Sequence, residues 1–282
     1  MKLQTTLLTI LAMIAFASNS LLNRYALGQN AIDPASYTTI RLISGAVMLS
    51  IIASLQRKNN EPVLRGSWNS AVFLFLYAIT FSFAYLSLST GTGALILFGS
   101  VQVTMIVVAL RSGERPRVME WMGLMLALGG LVYLVFPGLS APSPLGSALM
   151  TIAGISWGFY TLRGRGSQNP LGDTAGNFVY AVPMVLAILL VSLKNVSITP
   201  YGVLYAALSG ALASGVGYVI WYAALRGLTT TRAATVQLSV PVIAAWSGIV
   251  FLAEHVSVRL VIAGVLILGG IALSLSSRAK KT

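Results

Sequence analysis

Aromatic and amide side chains recur at helical spacing in several apolar segments of this 282-residue chain. Tyr77, Phe81 and Tyr85 occupy every fourth position, so a helix places them on one face. Aromatic rings stack on flat solutes and hold cationic amines over their faces. Side chains of this kind predict a substrate-binding pocket that is mostly aromatic, with a few amide and hydroxyl groups. Its predicted members are Ser18, Asn19, Tyr77, Phe81, Tyr85, Phe98, Gln102, Trp157, Tyr160, Tyr218, Trp221 and Gln237.

The same rings have an alternative role that the sequence leaves open. Aromatic stripes in apolar helices also serve in helix packing or as belts at a membrane surface. Tyr25, Trp68 and Trp121 lie at the ends of apolar segments and fit the belt interpretation.

The chain offers little for catalysis or metal binding. It has no cysteine and one histidine, His255, which excludes thiol chemistry and multi-His metal sites. Residues 154–158 match the G-x-S-x-G pattern of serine hydrolases, but that motif requires a strand–turn–helix setting and a nearby histidine. Within an apolar helix, Gly154 and Gly158 instead allow a neighbouring helix to approach closely. We expect no enzyme activity, no metal and no cofactor.

One charged side chain, Arg41, lies inside an apolar segment, roughly 9 Å from the segment's end at 1.5 Å per residue. Three roles are open for it. Its guanidinium could extend towards the membrane surface, bind backbone carbonyls, or bind a carboxylate on a substrate.

The elements that position these residues are predicted by hydropathy. The chain is 56% hydrophobic and 9% charged, against about 25% charged residues in a soluble domain. Apolar segments of about 20 residues match the hydrocarbon core of a bilayer, where backbone groups must bond within a helix. The predicted fold is an all-α integral membrane protein in the lipid bilayer, with ten transmembrane helices near 4–23, 35–55, 69–89, 91–111, 117–136, 144–162, 174–193, 200–225, 230–252 and 257–276.

Basic residues are distributed unevenly between the two sides of these helices. With the N-terminus inside and ten spans alternating, 14 of the 18 Lys and Arg residues fall on the inner side. This asymmetry follows the positive-inside rule and predicts that both termini are cytoplasmic. It also accounts for the net charge of +12 without nucleic acid as a partner.

The two halves of the chain carry a repeat. Glu114 is followed by Gly129 and Gly130, and Glu254 by Gly269 and Gly270, at a constant offset of 140 residues. Five spans in each half reverse the direction in which the second half enters the membrane. The pattern predicts two inverted five-helix repeats, 1–139 and 140–282, which is a recurring design of secondary transporters.

These features together resemble the EamA-type branch of the drug/metabolite transporter superfamily over nearly the whole chain. The resemblance is carried by the repeated glutamate and glycine pair, by Arg41, by Ser156-Trp157-Gly158, and by Ala234 with Pro241. The first half departs from it, because Val101 stands where the second half has Pro241. The resemblance implies a central cavity between the halves, alternating access, and export of amino acids or other metabolites. The aromatic amino-acid exporters are one branch.

The predicted function is therefore a secondary transporter of small amphipathic solutes, with export as the expected direction. The alternative is a polytopic membrane protein that does not transport, such as an enzyme partner or scaffold. Minimal loops and the lack of cysteine favour a bacterial inner membrane. No acid lies in mid-membrane, where proton-coupled transporters carry a carboxylate, so we expect facilitative or weakly coupled transport. The six acids are Asp33, Glu61, Glu114, Glu120, Asp173 and Glu254.

Overall fold

The computed structural model describes residues 3–56, 64–111, 118–136, 141–164, 167–228, 236–237, 239–255 and 257–276. In these ranges the chain forms ten long helices: α1 (Leu3–Gly28), α2 (Pro34–Leu55), α3 (Trp68–Ala84), α4 (Thr90–Arg111), α5 (Val118–Val135), α6 (Pro144–Gly164), α7 (Pro170–Val191), α8 (Pro200–Leu225), α9 (Ser239–Leu252) and α10 (Val258–Ser276). The connections described include one turn of 3₁₀-helix, Leu193–Asn195, and an isolated antiparallel bridge between Ile32 and Ile198.

The lengths and hydropathy of these helices suit a membrane. Six of them, α1, α2, α4, α6, α7 and α8, are long and apolar enough to cross one, and the other four are shorter apolar helices. The prediction of an all-helical integral membrane protein is confirmed. Two helix ends differ most from the prediction, because α1 continues to Gly28 and α3 ends at Ala84. The amides of Leu86 and Ser87 bond to carbonyls three residues back, which tightens the chain into a turn.

Side-chain caps begin several helices. Asp33 accepts a hydrogen bond from the amide of Ser36 at 2.9 Å, and proline occupies the first position of α2. Asn169 caps α7 and Thr199 caps α8 in the same way, each followed by proline. Such caps satisfy amides that the first helical turn leaves without partners. The first turns of α2, α7 and α8 are therefore held by the residues that directly precede them.

The helices of the first half, α1 to α5, correspond in order to those of the second half, α6 to α10. When each helix is exchanged for its counterpart, the main contacts between helices are preserved. Three pairs map onto themselves: α2 with α7, α4 with α9, and α5 with α10. The remaining main contacts map onto one another: α3–α6 onto α1–α8, α4–α6 onto α1–α9, and α3–α7 onto α2–α8. This is the contact pattern of two equivalent five-helix units around a shared interface. The boundary predicted between them, after residue 139, lies outside the described residues, as does Glu114.

The repeated glycine pairs lie where α5 packs on α10. A Cβ at Gly130 would stand 2.7 Å from the Leu266 Cβ, and one at Gly270 would stand 2.6 Å from the Ala127 amide nitrogen. Gly129 and Gly269 have nothing within 4 Å of the same point. The second glycine of each pair thus lies at the helix contact and permits the close approach. The first glycine lies away from the contact and is not needed for it.

Helix α8 contains a π-helical segment, Ser209–Val216, in its middle. The segment includes Gly210, where a Cβ would overlap the carbonyl oxygen of Arg41. Glycine is required here because the backbones of α2 and α8 are in direct contact. π-Helical turns are rare and are often found at functional sites, and this one faces the centre of the molecule.

Candidate functional site

A narrow cavity lies at the centre of the molecule, between the two halves. The helices around it are α1, α3 and α4 from the first half and α6 and α8 from the second. It has room for about one water molecule, so it is an occluded space rather than an open channel. Its lining residues are Phe16, Asn19, Ser20, Tyr77, Phe81, Leu97, Phe98, Trp157 and Tyr218.

Trp157 lies at the centre of the aromatic lining and contacts three of its rings. Its ring centroid lies 4.9 Å from Tyr77, 4.9 Å from Tyr218 and 5.9 Å from Phe16. Rings from α1, α3, α6 and α8 therefore meet at one indole. Edge-on and tilted contacts of this kind contribute about 0.5–1.5 kcal/mol each beyond the area they bury.

Two glycines of α6 bring Trp157 to this position. A Cβ at Gly154 would stand 2.5 Å from the Leu97 carbonyl oxygen, and one at Gly158 would stand 3.0 Å from Thr104. Helix α6 is therefore seated directly on α4. The packing interpretation of the G-x-S-x-G match is confirmed, and Trp157 lies between the two glycines.

On α1, the face that lines the cavity carries Phe16, Asn19 and Ser20. These positions are spaced i, i+3 and i+4, which is one side of a helix. The sequence prediction included Asn19 but neither of its two neighbours on this face. Ser18, which it did include, points elsewhere and donates a hydrogen bond to the Ile14 carbonyl at 2.8 Å. The spacing from Asn19 was the signal available for Phe16 and Ser20.

The structure brings six of the twelve predicted residues together in the cavity wall: Asn19, Tyr77, Phe81, Phe98, Trp157 and Tyr218. Five others are buried close to that lining or elsewhere in the core: Tyr85, Gln102, Tyr160, Trp221 and Gln237. Tyr160 and Trp221 form a second row of rings, 5.5 Å from Trp157 and 5.7 Å from Phe16 respectively. Tyr85 contacts Phe81 at 4.8 Å and donates from its hydroxyl to the Thr90 carbonyl.

A polar network backs the cavity on the side of α2 and α8. The side-chain oxygen of Asn19 accepts hydrogen bonds from Ser209 at 2.7 Å and from Ser214 at 3.3 Å. Ser214 in turn accepts from Arg41 Nε at 3.3 Å and from Nη2 at 3.2 Å. Arg41 Nη2 also donates to the Tyr77 hydroxyl at 3.1 Å. Two cavity residues, Asn19 and Tyr77, are thus connected to one buried guanidinium.

A second polar group, the Glu254 cluster, closes one end of the helix bundle. It consists of Arg24, Thr90, Glu254 and the carbonyl of Tyr85. The Glu254 carboxylate accepts from the Thr90 amide at 2.8 and 3.0 Å and from Arg24 Nε at 3.2 Å. Arg24 Nη1 donates to the Tyr85 carbonyl at 3.2 Å.

The position of Glu254 depends on the turn that follows α9. Ala253 adopts φ 51, a left-handed conformation that is uncommon for alanine, and the chain folds back so that the Glu254 amide bonds to the Gly248 carbonyl. A Cβ at Gly248 would overlap the carboxylate. The carboxylate caps the N-terminus of α4, where a negative charge is favourable, and ties together elements of both halves.

Ten apolar helices in two exchangeable halves, with an occluded aromatic cavity between them, define a membrane protein of transporter architecture. The model of the EamA-like transporter family matches residues 4–136 and again residues 144–276. The chain therefore belongs to the EamA-like transporter family, whose members are membrane transporters of small solutes.

Two known proteins are similar over most of the chain. One, from Pseudomonas aeruginosa, is described as "Uncharacterized protein PA1977"; it is 50% identical over 275 residues, 98% of this chain and 96% of its own length. A crystal structure of a protein 20% identical to this one superposes with a TM-score of 0.67, covering 96% of this chain and 98% of the other. This second similarity concerns the fold alone.

Proposed function

We propose that the protein is a secondary transporter that moves small amphipathic, aromatic solutes, amino acids or similar compounds, across the membrane by alternating access. The observation that carries this proposal is the occluded cavity at the interface of the two halves, whose wall contains Tyr77, Phe81, Phe98, Trp157 and Tyr218. A wall of rings with a few polar groups suits a flat solute with one polar end.

The location of the polar side chains favours transport over the scaffold alternative. Asn19, Ser209 and Ser214 are buried and converge between α1 and α8. A scaffold would place its polar or small residues on outward faces, where partners bind. Polar groups gathered at the centre of a membrane bundle instead mark a substrate path.

The cavity and the Glu254 cluster support alternating access. The cavity is too narrow for a solute, so the helices around it must separate to admit one. The Glu254 cluster joins α1 and α4 to the end of α9, and its release would open that end. Because helix contacts are preserved on exchange of the halves, the opposite end can open by the equivalent movement of the other half.

The orientation in the membrane completes the proposal. The distribution of basic residues supports an orientation with both termini in the cytoplasm and the Glu254 cluster on the outer face. The short connections suit a bacterial inner membrane. Export as the net direction rests on the resemblance to aromatic amino-acid exporters.

The test is counterflow in liposomes that contain the purified protein. Labelled phenylalanine outside should accumulate when unlabelled aromatic amino acids are inside, without any imposed gradient. Asn19→Ala should reduce the uptake, and Trp246→Ala, which changes a side chain 61% exposed on α9, should leave it unchanged. The aromatic-solute proposal fails if folded protein moves no member of an amino-acid and aromatic-amine panel.

A further inference from the structure

Arg41 is a buried cation with no counter-charge in the part of the chain that the structure describes. Its side chain is 1% exposed and lies seven residues after the start of α2, about 10 Å along the helix at 1.5 Å per residue. It does not extend to the membrane surface, so that role is excluded. No carboxylate of the described residues lies within ion-pairing distance of its guanidinium.

The groups that surround the guanidinium are neutral. Ser214 and Tyr77 accept its hydrogen bonds through their hydroxyls. The rings of Tyr77 and Phe81 lie under it, each with its centroid 5.3 Å from the guanidinium carbon. Cation–π contacts and neutral hydrogen bonds offset part of the cost of burying the charge, but they do not neutralise it.

One nitrogen of Arg41 has no partner. Nε and Nη2 donate hydrogen bonds, whereas Nη1 is buried and donates to no group of the described residues. A charged donor left unsatisfied in a low-dielectric interior is costly. Charged residues within membrane spans are rare for this reason and commonly mark a site of function.

The guanidinium stands directly behind the cavity wall. Tyr77 and Phe81 separate it from the cavity, and both lie on α3 within one helical turn of each other. If these two rings rotated away, a solute in the cavity would be able to approach the guanidinium. Arginine presents a planar pair of donors that matches a carboxylate, and a carboxylate there would supply the missing charge and the missing acceptor.

We propose that Arg41 binds the carboxylate of the transported solute, so that the substrates are aromatic or apolar carboxylates, amino acids included, rather than aromatic amines or neutral compounds. The proposal rests on the transport function proposed above and narrows its substrate class. The ring-lined cavity holds the apolar body of the solute, and Arg41 with Tyr77 holds its acidic end.

The test compares ligands that differ in the carboxylate alone. The probes are 3-phenylpropanoate and its neutral amide, and phenylalanine and phenylalaninamide. Their binding to the purified protein in lipid nanodiscs is measured by the shift in thermal unfolding midpoint. Each carboxylate should bind about 10- to 100-fold more tightly than its amide, as expected when a charged hydrogen-bonded contact is lost. The proposal is overturned if acid and amide bind equally well, and also if neither acid binds.

Variants of Arg41 test whether this residue causes the preference for the acid over the amide. Arg41→Gln should abolish the difference between acid and amide, and Arg41→Lys, which keeps the charge but not the planar pair of donors, should retain part of it. Arg259→Gln, at the start of α10, is the control and should bind as the wild type does. If Arg41→Gln keeps the full preference, Arg41 only ties α2 to α8 and the proposal is wrong. The ligand comparison on the wild type decides the substrate class even if Arg41→Gln does not fold.

Measuring both binding and transport distinguishes a failure of the Arg41 proposal from a failure of the proposed transport function. A protein that binds the acids selectively but moves no solute in counterflow contradicts the transport function and leaves the Arg41 site standing. A protein that moves aromatic amines and amides as well as the acids contradicts the role of Arg41 and leaves the transport function standing.

Discussion

The Arg41 guanidinium lies over the ring of Tyr77, 5.3 Å from its centroid, and donates from Nη2 to the hydroxyl of the same residue at 3.1 Å. Tyr77 therefore meets the cation with both its ring and its oxygen. Its other contacts are rings, Phe81 at 5.2 Å and Trp157 at 4.9 Å. One side chain thus links the charged and the aromatic parts of the candidate site.

Tyr77→Phe separates these two contributions. The ring remains, but Arg41 loses one acceptor, so we expect a loss of about 1 kcal/mol of stability and a thermal midpoint lower by about 2–4 °C. Counterflow of a carboxylate solute should fall several-fold. Tyr133→Phe is the matched control, since the ring under Arg259 is kept and its side chain is 39% exposed. Unchanged stability and transport in Tyr77→Phe would show that the hydroxyl has no role.

Trp157→Ala should be among the most damaging single substitutions. It removes the ring on which Phe16, Tyr77 and Tyr218 meet, and large-to-small core changes of this type cost about 3–5 kcal/mol. Trp157→Phe should keep part of the stability and a measurable share of transport. Thermal unfolding in nanodiscs and counterflow measure the two effects. If both variants behave alike, ring size at this position does not matter.

Adjacent glycines give a prediction with an internal control. Gly270→Ala places a methyl group 2.5 Å from the Gly123 carbonyl oxygen, whereas Gly269→Ala places it in open space. Overpacking should destabilise the first variant by about 1–3 kcal/mol, and the higher helix propensity of alanine should leave the second neutral or slightly more stable. Thermal unfolding midpoints decide this, and Gly130→Ala against Gly129→Ala should repeat the result on α5. Equal midpoints would mean that α5 and α10 are not tightly packed.

Glu254→Gln should loosen the end of the bundle that the Glu254 cluster closes. The variant loses the ion pair with Arg24 and the charge at the N-terminus of α4. The chain has no cysteine, so Ser20→Cys in the cavity wall can report access to a membrane-impermeant thiol reagent. Labelling from the outer side should be several-fold faster with Glu254→Gln than without it. Gln29→Cys, at an exposed position, should label equally in both backgrounds, and equal rates for Ser20→Cys would contradict a closing role.

Transport should not depend on a proton gradient. The acids whose side chains the structure describes, Asp33, Asp173 and Glu254, lie at helix ends or in connections, and Glu61 and Glu114 fall outside the described residues. Without a carboxylate in mid-membrane among the side chains that the structure describes, uptake should be the same with and without a pH difference at fixed membrane potential. A strong increase on imposing the pH difference would contradict facilitative transport.

The sequence predicted the helices and their order because hydropathy is local. It predicted the aromatic character of the site for the same reason. Hydropathy did not determine which side of α1 faces the cavity, so Ser18 was predicted and Ser20 was not. Phe16 was missed as well, because the only signal for it was its spacing from Asn19. The contact of Arg41 with Ser214 joins residues 173 positions apart, and only the packing of α2 on α8 creates it. The choice between Gly129 and Gly130 likewise depends on helix rotation, which the repeat alone does not reveal.

The π-helical segment of α8 sets how the chain tolerates change in length. Ser209 and Ser214 are five residues apart, which is the spacing of hydrogen-bonded neighbours in a π-helix, and both reach the same oxygen of Asn19. In an α-helix they would point about 140° apart, at 3.6 residues per turn. Deleting a single residue between them would leave the two serines four apart, which an α-helix places about 40° apart. The segment would then become ordinary α-helix, with both hydroxyls still on the side of Asn19 and Tyr218 still in register with the cavity. In related chains, this stretch should therefore accept the loss of one residue, with a return to regular α-helix, more readily than the gain of one.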